Sequence, residues 1–140
     1  MNRTLPPPIA ASLRRWHQMV EASDLGALPA LLHAEAVFRS PAAFRPYEGA
    51  TMVARILRTV AGVFSDFAYQ RQFTSADGMD VALEFSARVG DRQLKGVDLI
   101  RFDADGRIVE IEVMIRPASG LRALAEQMER RLALAPPRSD

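Results

Sequence analysis

Three runs in the second half of the chain, VALEFSARV, RQLKGVDLIRF and RIVEIEVMI, alternate apolar and polar side chains with a period of two. Such alternation belongs to strands with one covered face. The runs are separated by Gly90-Asp91, a plausible two-residue turn with glycine first, and by the turn-forming DADG. They therefore read as consecutive antiparallel strands, and a sheet of this kind must bury its apolar face against something else. The available cover lies in the first half, where the apolar spacing is helical. Helices first, then a curved antiparallel sheet, make a two-layer α+β arrangement.

The helical spacing is carried by Leu13, Trp16 and Val20 between Ile9 and about Glu21. SDLGALPALL suggests a second, short helix capped by Ser23 or Asp24, although Pro29 falls inside it. AVFRSP reads as a strand ended by Pro41, and the loop PAAFRPYEG leads to a third helical stripe through Met52 or Val53, Ile56, Leu57 and Val60. From Phe67 the period changes to two: Phe67, Tyr69, Arg71 and Phe73 oppose Ala68, Gln70 and Gln72, a strand with no clean buried face. Leu121, Leu124, Met128 and Leu132 fit a terminal helix with Ser119 as candidate cap. The expectation is one domain over residues 9–135, with loose tails at 1–8 and 136–140.

A chain of 140 residues holds one domain with a sizeable core. A formal net charge of +1, with arginines spread along the chain and interrupted by acids, gives no field that would favour nucleic acid or an anionic membrane surface. The absence of cysteine excludes disulfides and thiolate chemistry. No apolar run approaches the roughly 20 residues that span a bilayer, and the opening MNRTLPPPIA lacks an export signal's apolar stretch. A cytoplasmic location is the default expectation. His17 and His33 are not grouped with a carboxylate set, and no glycine-rich phosphate loop follows a strand, so neither a metal nor a cofactor is expected.

Asp98, in LKGVDLIRFD, breaks the alternation. If Gly90-Asp91 is a two-residue loop, Val89 pairs with Arg92 and Leu83 lies opposite Asp98. The carboxylate then shares a face with Leu83, Phe85, Leu94, Ile100 and Phe102. A four-residue connection from Asp103 to Gly106 sets Asp98 opposite Ile111, beside Val109, Val113 and Ile115. Burying an ionised carboxylate there costs several kcal/mol unless its pKa rises or it finds donors. Three accounts stand: an acid/base lining a pocket, a structural acid bonded to Trp16 or His17, and a misread register. The other face carries Glu84, Arg88, Lys95, Arg101, Glu110 and Glu112. Val97, Leu99 and Met114 among these charges suit a contact between two copies.

These residues resemble the nuclear-transport-factor-2-like (NTF2-like) superfamily, and within it the SnoaL-like (polyketide-cyclase-like) and ketosteroid-isomerase-like branch. The resemblance runs from about Leu13 to the last helix, through VDLIRFDADGRIVEIEV, HAEAVFRSP and the YEG before the long helix. It implies a cone whose bent sheet wraps the helices around a pocket, and a homodimer formed through the sheet. The pocket acid of the isomerases and cyclases falls on Asp98. The isomerases' proton-shuttling aspartate falls on Ser40, and their tyrosine donor on or near Trp16. A serine cannot hold a proton taken from carbon, and an indole donates without acid chemistry. The arginine and second aspartate of the limonene-epoxide-hydrolase relatives fall on Gly96 and Ile111.

The expected function is binding of a small apolar compound bearing a carbonyl or hydroxyl, with cofactor-independent cyclase, lyase or isomerase chemistry through Asp98. The rival is a non-catalytic ligand-binding or dimeric scaffold module in which Asp98 is a structural acid. His17 is a candidate partner for Asp98 or a half-exposed histidine. Trp16, Phe38, Ser40, Tyr47, Met52, Ile56, Phe73, Phe85, Ile111 and Val113 are candidate pocket residues, each with a plain core, loop or strand-end reading beside it. Arg45 at the pocket mouth suits an anionic or carbonyl group, and a solvated arginine equally.

Overall fold

The computed structural model describes residues 5–132. Helix α1 spans Pro7–Ala22 and begins on prolines, which suits a first turn whose backbone N–H groups have no partners inside the helix. The expected tail at 1–8 is thereby shortened, because Pro7 and Pro8 are helical and Leu5 packs against the core. Residues 1–4 and the expected tail at 136–140 lie outside the described residues. The buried stripe of α1 is Ile9, Leu13, Trp16 and Met19, with Ser12 among them. Ser23 is not the cap of a second helix. It closes α1 in the left-handed conformation (φ 53°), its N–H reaching Met19 and Val20 carbonyls. Only a 3-10 turn, Leu28–Leu31, follows.

Strand β1 (Leu32–Arg39) ends before Pro41, β2 (Tyr47–Glu48) folds back on it, and α2 (Ala50–Ala61) buries Val53, Ala54, Ile56 and Leu57. Strands β3 (Ser65–Thr74), β4 (Asp80–Val89), β5 (Arg92–Phe102) and β6 (Ile108–Arg116) form an antiparallel meander, and α3 (Ala118–Leu132) follows. Ser119 lies inside the first turn of α3 rather than before it. The sheet order is β2-β1-β6-β5-β4-β3, and β1 joins β6 in parallel. Among the described residues no helix is long and apolar enough to cross a membrane.

The β4–β5 register is as expected: Val89 faces Arg92 and Leu83 faces Asp98. The β5–β6 register is not. Asp98 lies opposite Val113, and Ile111 opposite Ile100. The connection is one residue longer than expected, and an irregularity between Arg101 and Phe102 adds another. From Lys95 to Arg101 the slip is two, which leaves those side chains on their own faces, so Asp98 stays inside; at Phe102 it is one, and Ile108 rather than Val109 turns inward. Ser12 supports this connection by donating its hydroxyl to the Gly106 carbonyl at 2.5 Å.

Strand β3 explains its own unclear pattern. It is bulged between Ser65 and Ala68 and again between Tyr69 and Gln72, and each bulge changes which parity points inward. Tyr69 pairs with Phe85 on the inner face, whereas Phe73 pairs with Ala82 and points outward, 55% exposed. The outer face is a ladder of ion pairs, Arg71 and Lys95 on Glu84 and Arg101 on Asp80, with the Arg71 guanidinium over the Phe73 ring. Most of these groups are well exposed and add little to stability.

Two apolar clusters sit under the inner face. The larger joins α1, α2 and the strands around Leu83, Ile100 and Phe102; the smaller gathers Phe85, Val89 and Leu94 with Leu124 of α3. Val60, Tyr69, Val113 and Met128 pack against both clusters.

Candidate active site

A cavity of about 600 Å³ opens at this junction, lined mainly by apolar side chains from both helical and sheet walls. Phe64, Phe67 and Phe85 form one wall: the Phe67 and Phe85 rings stack with centroids 4.9 Å apart, and Phe64 lies 5.8 Å from Phe85. Trp16, Phe38, Ile111 and Val113 contribute elsewhere.

Asp98 lines this cavity and is only 8% exposed. Among the described residues it and Ser12 are the buried polar side chains. The Tyr69 hydroxyl donates to Asp98 Oδ2 at 2.6 Å and accepts from Trp16 Nε1 at 3.0 Å. Strands β3 and β5, on either side of β4, and helix α1 thus supply one continuous hydrogen-bonded chain. Loss of solvation lifts the Asp98 pKa to about 6, against the opposing pull of the Tyr69 bond. Burial first, then the Asp98 charge and the bond to it, hold the Tyr69 phenol well above its ordinary value.

The buried-acid account therefore needs a different partner from Trp16 or His17. Trp16 reaches Asp98 only through Tyr69. His17 lines the cavity but makes no pair with Asp98; its Nε2 lies 3.4 Å from Gln72 Oε1, and its ring stands edge-on to Tyr69 at 5.3 Å. Phe38, Phe85, Ile111 and Val113 line the cavity with Trp16, His17 and Asp98.

Six residues expected at the pocket or its mouth lie elsewhere. Phe73 is turned out by the bulge in β3. Ser40 Oγ accepts from the Ala42 N–H at 3.0 Å and closes its own turn. Tyr47 sits on β2 opposite Phe38 and packs on the larger cluster, as Met52 does from α2. Ile56 is core, 3% exposed. Arg45 is exposed in its loop.

Tyr69 is the residue that sequence reasoning missed. Its signal was present: it alternates with Phe67 and faces Phe85, but the unresolved face of β3 hid it. Among the described residues no three His, Cys, Asp or Glu side chains are grouped as a metal site requires.

Gly96 keeps room beside Asp98. It lies opposite Phe85, and a Cβ there would stand 2.5 Å from Phe85 Cζ and 2.6 Å from the Met114 carbonyl oxygen. This leaves no place for the arginine that the epoxide-hydrolase pattern would put there. Gly96→Ala is expected to destabilise by about 1–3 kcal/mol, because one of the two obstacles is backbone of the next strand. Urea unfolding checks it; an unchanged midpoint would contradict this packing.

A bent sheet on helices, enclosing an apolar cavity with one buried acid, defines a class of α+β pocket proteins with the NTF2-like fold. The chain belongs within it to the SnoaL-like domain family, whose model matches residues 13–111. It is 60% identical to a steroid delta-isomerase from Pseudomonas aeruginosa, with a TM-score of 0.93 over 95% of this chain and 97% of that one. It is 34% identical to an uncharacterized protein with a cystatin-like fold from Silicibacter pomeroyi, TM-score 0.82, over 87% and 85% of the two chains. An NTF2-like protein from Mesorhizobium loti shares the fold at 21% identity, TM-score 0.72, over 84% and 98%. No curated protein matches the chain.

Proposed function

We propose that the cavity binds a small apolar compound carrying a carbonyl, and that Asp98 serves as its acid/base in a cofactor-independent isomerisation or ring closure. The observation that carries this reading is a carboxyl group lodged in an apolar, solvent-connected cavity with its pKa lifted to about 6. Near neutrality such a group exchanges protons readily and is a stronger base than an exposed aspartate. As carboxylate it takes a proton from the carbon beside the carbonyl. It then returns that proton to another carbon in an isomerisation, or delivers it to the alkoxide formed in an aldol-type closure. Ser40, occupied in its own turn, offers no second base, and the Tyr69 hydroxyl hydrogen is already engaged in its bond to Asp98. The substrate must therefore be an acidic carbon acid whose own conjugation spreads the developing charge.

The likeness to a protein called a steroid delta-isomerase makes a steroid β,γ-unsaturated ketone the first probe. The expected results are growth of conjugated-enone absorbance and, in crystals soaked with a non-reacting analogue, density with the carbonyl end against Asp98. A ketone bound there without turnover would favour the second reading, a binding module with Asp98 as anchor, for which the internal Tyr69 bond speaks. No binding in the cavity would remove both readings.

A further inference from the structure

We infer that Trp16 and Tyr69 are positioning residues that pin the exchangeable proton of Asp98 to Oδ1, the oxygen left to face a ligand. The argument is one of hydrogen-bond polarity. An indole nitrogen can donate and cannot accept, whereas a tyrosine hydroxyl does both with a single hydrogen. Trp16 Nε1 donates to the Tyr69 oxygen at 3.0 Å, so the hydroxyl cannot turn its hydrogen back toward α1. Its hydrogen points to Asp98 Oδ2 at 2.6 Å.

Were Asp98 protonated on Oδ2, that hydrogen would face the tyrosine's hydrogen, and among the described residues the tyrosine hydroxyl bonds only to Asp98 and Trp16, of which the indole cannot accept. Oδ2 is therefore an acceptor in both ionisation states, and a neutral carboxyl carries its hydrogen on Oδ1. An apolar floor removes competing partners, since Leu83 and Val113 lie opposite Asp98 on β4 and β6. The other ionisable groups near the chain are His17 of α1, beside Gln72, and the cavity-lining Glu21 and Asp66, of which Asp66 is paired with Arg88. None of these bonds to Asp98.

The inference rests on the proposed acid/base role for its use in catalysis, but its test needs no turnover. Asp98 is followed by carboxyl 13C NMR across pH in the wild type, Tyr69→Phe, Trp16→Phe and the double variant. Tyr69→Phe removes a bond that favours the charged form and should raise the midpoint by about one pH unit. Trp16→Phe should raise it less, because the indole acts by polarising the hydroxyl. In the Tyr69→Phe background Trp16→Phe should add nothing. An equal effect of Trp16→Phe in both backgrounds, or a Tyr69→Phe midpoint that stays or falls, overturns the inference.

The wild type supplies a readout that survives misfolding of any variant. The Tyr69 hydroxyl proton should remain hydrogen-bonded on both sides of the Asp98 midpoint, and its release below the midpoint would place the acid's hydrogen on Oδ2. If Asp98→Asn still turns over the steroid ketone, the proposed function fails while the order of midpoints stands.

Discussion

Asp98→Asn is expected to abolish turnover and, at pH 8, to make the protein more stable than the wild type. Burial lifts the Asp98 pKa from an ordinary 3.8 to about 6, so between these values the folded state holds a proton that the unfolded chain releases. Wild-type stability therefore falls as pH rises through this window. The part due to Asp98 is fully present below the ordinary value and lost above about 6, a change on the order of 3 kcal/mol. Asparagine is neutral throughout, nearly isosteric, and able to accept the Tyr69 hydroxyl through its carbonyl oxygen. The variant should match the wild type near pH 4 and exceed it at pH 8, by up to about 3 kcal/mol. Urea unfolding at the two values measures this directly. Parallel behaviour of the two proteins at both pH values would mean that Asp98 is solvated, and turnover equal to wild type would deny it a chemical role.

Phe85→Ala carries the largest stability effect expected at the cavity wall. The ring is 1% exposed, stacks on Phe67, and fills the space that Gly96 leaves open. Truncation at such a site typically costs about 3–5 kcal/mol, the transfer term plus the void left behind. Here the void adjoins an existing cavity, so the loss should come with a larger ligand space and a less firmly held Tyr69, whose ring lies 6.5 Å away. Phe73→Ala is the control on the opposite face, where a 55% exposed ring should cost no more than about 0.5 kcal/mol. Similar losses for the two substitutions would contradict the inward Phe85 and the outward Phe73.

The same strand marks where sequence reasoning stopped. In β4 and β5 no bulge interrupts the pairing and the Gly90-Asp91 turn sets its register, so Leu83 opposite Asp98 could be read directly. Asp98 stood out because a carboxylate interrupted an apolar face. Its partner did not, because a bulge has no local signature and each bulge in β3 exchanges the two faces. The two-residue error between β5 and β6 was silent for the opposite reason, since an even slip changes neighbours without changing faces. The parallel pairing of β1 with β6 depends on residues far apart in the chain, to which periodicity is blind. Prolines read as a loose tail proved to be the first turn of α1, a position where a missing N–H does no harm.

Trp16 is the sole tryptophan of the chain. Its nitrogen is tied, through one phenol, to the group on which the chemistry is proposed to turn. Ultraviolet emission excited selectively through indole therefore originates at a single place, and that place borders the cavity. The protein contains its own optical gauge of occupancy there, with no dye or label to disturb the compound being measured.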